Sequence, residues 1–428
     1  MRARELFLES KAEKNDLTDL VHRSSNTRLL TKILTYLGNM VTKDQDEPEP
    51  NQTQQPEQDT SISEDMETSV KAQVLAMLAQ LDDNSPEWDK LIDVLRKDEL
   101  TSLATQVIMK KLGAVNGHID KKLRDLVIRA KHTFEEKEQF LKKLASGDGY
   151  FDGNKMLSQT NGNIYNAVKT NPVAAELAPK MSIEFRGDMG YGPSQGPGEF
   201  MMALLGKNIG LATKGDLQIG NSVVEIKATS RGKNGGHSGG RLYSTTGYGS
   251  NTMIKRELYQ VLLSAGIPQD ILLEYGMPSR QAAQEAGVPI RKGALNLNLT
   301  GIANLGELFK EYDISQDRAK QIVKVILDGL YTKLPDGMDK LLLGTIKNDG
   351  TIDPREFLIE MTKLAHEYYM GLEGHAALML FNTESGNYAI MYDADDVGRN
   401  LHDNTISLTA HLDLDDDRAK GSSQLIIK

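Results

Sequence analysis

The sequence predicts an α+β protein: a mixed-sheet core with a helical insertion, preceded by a helical N-terminal region and an acidic disordered linker. Three observations carry that expectation. Apolar residues recur at helical spacing through much of the first 150 residues and again from about 252 to 374. Elsewhere short apolar runs that read as strands alternate with Gly-containing turns, as in "DLQIGNSVVEIKATS" and "HAALMLFNTESGNYAIMYD". The stretch Asp44 to Ser69 is rich in Pro, Gln and acids and almost free of apolar residues, so it cannot bury enough surface to offset its ordering entropy.

Each region follows from its own text. Residues 1–43 hold Leu29, Leu30, Ile33, Leu34 and Leu37 at helical spacing, a face suited to a protein partner. Residues 44–69 form the linker. From 70 to 150 the text is helical: Ser85-Pro86 reads as an N-cap and first-turn pair, and "TFEE" from Thr133 fits a capping box. Gly147 and Gly149 mark a boundary, and residues 151–428 form an α/β domain. Within it "PGEFMMALLGKN" reads as a short helix starting near Pro197 and ending at Gly206. "TISLTAHLDL" and "SQLIIK" supply further strands.

Composition narrows the function classes. There are 428 residues, 39% hydrophobic and 26% charged, and no cysteine, which excludes disulfides, thiolate metal sites and a cysteine nucleophile. No run approaches a membrane span, so a soluble, cytoplasmic setting is expected. The net charge of −10 is uneven. Asp44 to Glu67 holds nine acids and no base, and Tyr392 to Lys428 has four more acids than bases, which leaves the rest of the chain at about +3. A polyanionic partner is therefore compatible with the charge.

The chemistry concentrates in "KGDLQIGNSVVEIKATS", Lys214 to Ser230. Gly220-Asn221 is a favoured two-residue hairpin loop because both residues tolerate positive φ. With that loop Ile219 faces Ser222 and Asp216 lies directly opposite Glu225, with Lys227 on the same face. Leu217, Ile219, Val224 and Ile226 take the other face and fix the register by burial. Opposed acids destabilise a sheet unless a positive charge compensates, and Mg²⁺ or Mn²⁺ held by Asp216, Glu225 and the Ile226 carbonyl would do so. Lys227 would then position or deprotonate water. The same charges also fit a solvated sheet face on which Lys227 is only an ion-pair partner.

Two neighbours extend the pattern. Glu199, in the first turn of the short helix, is placed to lean over the hairpin, or else is an acid favoured by the helix dipole. "ATSRGKNGGHSGGRLYSTTGYGS" follows Lys227 with Arg231, Lys233, His237 and Arg241 and no acid, as suits phosphate-backbone contacts.

A helix with a Glu, then Asp, a turn, and apolar-Glu-apolar-Lys resembles the PD-(D/E)XK nuclease superfamily. "VVEIKATS" is similar to the corresponding strand of archaeal-type Holliday junction resolvases. The resemblance covers about Pro197 to Arg241, with Gly215 where the family name has proline. It implies a restriction-endonuclease-like core, with Asp216 and Glu225 as metal ligands, Lys227 as catalytic lysine and Glu199 as an additional acid. It also implies DNA as substrate. The opening "MRARELFLES" resembles the starts of large tailed-phage proteins, which would place the chain in a host cytoplasm or a virion. Two other readings stand beside the nuclease: a non-catalytic virion or assembly protein with the same fold, and a DNA-binding regulator.

Other motifs are set aside. "HEYYM", His366 to Met370, lacks the second histidine of a zinc-protease helix and reads as helix surface. "TIKNDGTIDPRE", Thr345 to Glu356, resembles a calcium loop but carries Thr345 and Lys347 at ligand positions. "RGDMGYGPSQGPGEF" lacks phosphate-loop spacing, and "DLDDDR" near the C-terminus reads as a solvated acidic turn.

Overall fold

A strand that meets another through a two-residue loop needs positive φ in the loop, and Gly220 supplies it at φ +56°. In the computed structural model the hairpin pairs Leu217 with Val224, Gln218 with Val223 and Ile219 with Ser222, the register expected from the Gly220-Asn221 loop. The structure describes Leu34, residues 72–76, 87–113, 117–184, 197–212, 216–231, 237–243, 250–410 apart from 293, 332, 333, 335 and 336, and 422–427. The expected N-terminal partner helix, the acidic linker, Ser85-Pro86, Lys233 and "DLDDDR" lie outside the described residues.

The chain divides into two compact units, Met1–Gln106 with Lys121–Lys142, and Val107–Asp120 with Lys143–Lys428. Three helices come first: α1 (Glu87–Leu112), α2 (Gly117–Arg129) and α3 (Phe134–Ala145). In the first unit the capping box ahead of α3 is formed: Glu136 N–H donates to Thr133 Oγ1 (3.2 Å), and Thr133 N–H donates to Glu136 Oε2 (3.0 Å). Leu123, Val127, Phe140 and Leu141 are buried there.

The second unit continues with β1 (Phe151–Asp152), α4 (Gly153–Gln159), β2 (Asn161–Asn163), α5 (Ile164–Val168) and α6 (Pro172–Glu184). Then come α7 (Pro197–Leu205), β3 (Gly206–Lys207), β4 (Ile209–Leu211), β5 (Leu217–Ile219), β6 (Ser222–Arg231), β7 (His237–Gly239) and β8 (Arg241–Tyr243). Helices α4 to α6 have no counterpart in the sequence reading. α4 and α5 are short and begin at side-chain caps, Asp152 and Asn163, rather than announcing themselves by a long apolar period.

Between β8 and β9 (Ala377–Asn382) the described residues hold seven helices. These are α8 (Ser250–Ser264), α9 (Gln269–Glu274), α10 (Arg280–Glu285), α11 (Leu299–Glu311), α12 (Gln316–Leu330), α13 (Lys340–Gly344) and α14 (Pro354–Glu373). The chain ends with β10 (Asn387–Met391), α15 (Ala394–His402), β11 (Ile406–Ala410) and β12 (Ser422–Ile427). The fold is thus mixed α+β.

The main sheet runs β2-β10-β9-β6-β5-β4, with β7 pairing to the far end of β6. β6 and β9 are parallel, which requires a long crossover, and the seven helices supply it. A separate sheet orders β11-β12-β8. β6 is flanked on both sides, so its even positions Val224 and Ile226 enter the core at 0% and 4% exposure. α14 packs on several sides at once, burying Phe357, Leu364, Ala365 and Tyr368. That explains one departure from the sequence reading: His366 is core, at 1% exposure, and not helix surface. No helix among the described residues is long and apolar enough to cross a membrane.

Candidate functional site

The hairpin pairing ends at Leu217 and Val224, and the next residue on each side is Asp216 and Glu225. The odd residues of β6 turn their backbone groups toward β9: the Ala376 N–H donates to the Val223 carbonyl and the Thr383 N–H to that of Thr229. Even residues therefore face the β5 edge, where β5 has already ended opposite Val224. Asp216 fills the gap, its Oδ2 accepting the Ile226 N–H at 2.7 Å. The alternation turns the Ile226 carbonyl to the same edge.

Glu225 is the hub. Its Oε1 accepts from Lys227 Nζ and, at 2.7 Å, from the Tyr369 hydroxyl, while Oε2 lies 3.1 Å from His375 Nε2. Tyr369 lies in the last turns of α14, and its ring lies 5.2 Å from Lys227 Nζ in cation–π contact. Gly374 ends α14 in the left-handed conformation at φ +72°, and this turn delivers His375 to Glu225. The face is not the solvated one that simple strand alternation allows. Asp216 and Glu225 are 7% and 6% exposed, and Lys227 alone keeps a side-chain opening, at 19%.

Burial sets the electrostatics. Burial first, and then the Glu225 carboxylate, push Asp216 up to about 7. For Glu225 burial favours the neutral acid, but Lys227, Tyr369 and His375 outweigh it and hold the carboxyl below its usual range. Burial also disfavours the Lys227 ammonium, yet Glu225 more than offsets this and raises it. The ground state is therefore a Glu225 carboxylate, a Lys227 ammonium and an Asp216 that ionises near neutral pH.

Not every expected residue joins this cluster. Glu199 is buried at 6% exposure in the first turn of α7. The preceding Gly198 abuts Phe381, within 3.1 Å of where a Cβ would stand. Phe381 pairs with Ala228 and so shares the face of Ile226, whereas Glu225 and Lys227 share theirs with Leu378 and Leu380. Among the described residues no three acids or histidines close around one point, so Glu199 does not complete a ligand set with Asp216 and Glu225. Of the basic residues, Arg231 pairs with His237 across β6 and β7, and Arg241 lies in β8 opposite Gln424.

Tyr369 and His375 were missed by the sequence reading. A signal for Tyr369 was present in "YYM", large residues with no clear polar face, as expected of a helix buried on several sides, whereas nothing local marks His375. The calcium-like loop is also resolved. Asp353 accepts from the Arg355 and Glu356 amides as the cap of α14, and Asp349 accepts from Thr351. Its carboxylates are spent on the turn.

A divalent cation fits the donor set in part. Lys227 acts on both buried carboxyls but does not offset the crowding that raises Asp216, and the Ile226 carbonyl faces the same edge. Compared with known proteins, the chain matches no family model, no curated protein and no solved structure.

Proposed function

We propose that the chain is a divalent-metal-dependent DNA nuclease on a PD-(D/E)XK-like core. The observation that supports this reading is that Asp216 and Glu225, the residues next beyond the hairpin pairing, are both buried and interact, with Lys227 against Glu225. Asp216, Glu225 and the Ile226 carbonyl would hold Mg²⁺ or Mn²⁺. When bound, such an ion would polarise a phosphate oxygen and acidify a coordinated water.

The chain's own residues do the rest. Glu225 keeps the Lys227 ammonium protonated, so Lys227 acts as a donor rather than a base. Its Nζ–H orients the attacking water and stabilises negative charge growing on the phosphate. The water oxygen would bond to phosphorus as one ester P–O bond breaks, the proton the water sheds passing through solvent to the departing alkoxide, while Asp216 stays ionised as a metal ligand. Tyr369 and His375 fix the Glu225 carboxylate, which sets where Lys227 can reach. Arg231, Lys233, His237 and Arg241 would contact the DNA backbone. The test is incubation with linear, circular, branched and single-stranded DNA, with and without Mg²⁺ or Mn²⁺. Metal-dependent cleavage of at least one form is expected, and all four left intact would contradict the proposal.

One observation favours a second reading. Glu225 already has three partners, an arrangement that would staple α14 to the sheet without any chemistry. Such a chain would be a non-catalytic assembly protein with a nuclease-like core. It predicts that the Lys227→Ala change lowers stability while no DNA cleavage exists to be lost.

A further inference from the structure

The other end of α14 borders a cavity of about 490 Å³. Arg355, on its rim, precedes Tyr369 by fourteen residues, about 21 Å along the helix axis. The floor is apolar, formed by Leu297, Leu358, Ile359, Leu401 and Ile406, each at most 6% exposed. Lys292 and Arg355 also line it, and no acid does, in a chain whose net charge is −10. Both cations are exposed and make no side-chain ion pair among the described residues. Two unpaired cations over an apolar floor complement a ligand that is apolar along its body and anionic at one end.

The remaining polar groups are consistent with that. Asn298 is occupied, its Oδ1 accepting the Gly301 N–H as the cap of α11. Thr300 and Ser407 leave hydroxyls at the wall for a second head-group oxygen. No aromatic ring lines the cavity, so nothing there stacks a base or a planar cofactor.

We propose that this cavity binds an anionic alkyl amphiphile, its carboxylate between Lys292 and Arg355 and its chain along Leu358, Ile359 and Ile406. The volume lies within the range of small-molecule sites. A bare anion would leave the floor wet, and a neutral alkane would leave both cations unpaired. This inference does not depend on the hydrolytic reading of the Glu225 site.

The test is calorimetric titration of the full chain with sodium octanoate, sodium acetate and octan-1-ol, each below any micellar concentration. Octanoate should bind at one equivalent per chain, with acetate and octanol at least tenfold weaker. The double variant Lys292→Gln/Arg355→Gln should weaken octanoate at least tenfold while leaving the ligand-free melting temperature unchanged, since both side chains are exposed. No saturable octanoate binding would overturn the proposal. So would more than one equivalent, which marks an adventitious additive only, or a double variant that binds like the unaltered chain.

Discussion

The Tyr369 hydroxyl donates to Glu225 across 144 residues of sequence, and this bond ties the last helix before β9 to the centre of the sheet. Glu225 is a buried carboxylate, so the bond is charge-assisted. Tyr369→Phe removes the donor but keeps the ring beside Lys227. Urea unfolding should show a loss of about 1–3 kcal/mol. A double-mutant cycle with Glu225→Gln should return a coupling of similar size, and purely additive losses would show that the two side chains do not interact in solution.

Asp216 gives a pH signature. Its folded pKa is raised, to about 7 against an ordinary 3.8, so between those values the folded chain holds more protons than the unfolded one. Its contribution is therefore present at low pH and is lost as pH rises through about 7. Asp216→Asn keeps an acceptor for the Ile226 N–H and removes the titration. The variant should be more stable than the unaltered chain at pH 8, with the gap narrowing or reversing at pH 5, as read from urea midpoints at both values.

His366 pulls the other way over nearly the same window. Burial holds it down, to about 4, against the opposing pull of Asp393 and the nearby Met391 backbone, and neither ring nitrogen meets hydrogen-bond geometry. The unfolded histidine takes up its proton near 6.5, so stability is complete above that value and is lost as pH falls toward 4, by about 3 kcal/mol in total. His366→Leu should abolish this acid loss. It should also raise stability at neutral pH, because two unsatisfied polar atoms leave the core. Thermal melts at pH 5 and pH 7.5 separate it from Asp216→Asn, whose effect has the opposite pH dependence.

How much of this was legible in the sequence follows from how local each feature is. The hairpin register was legible because Gly220 and Asn221 admit one tight loop and the Leu217, Ile219, Val224, Ile226 set admits one buried face. "HAALMLFN" as a sheet strand was legible because it is a short apolar run between turn signals. Burial of the acids was not. Strand alternation says which side chains share a face, and only the tertiary fold says what covers that face. The cover is α14, whose Tyr369 lies far away in sequence and whose buried face could not be told from its exposed one by period alone. Glu199 shows the converse. A helix acid close in sequence to the hairpin is buried in α7 without joining Asp216 and Glu225 in a ligand set among the described residues, and sequence proximity gave no means to foresee that.

The central claim is that the Asp216, Glu225 and Lys227 face performs hydrolysis and is not only a buried ion-pair staple. The most direct measurement is single-turnover cleavage of a labelled DNA substrate with Mg²⁺ or Mn²⁺, comparing the unaltered chain with Lys227→Ala and Asp216→Ala proteins whose circular dichroism shows them folded. The account predicts metal-dependent cleavage that falls at least a hundredfold in both variants. Cleavage that survives unchanged in both, or no cleavage by the unaltered chain on any DNA form, would contradict it.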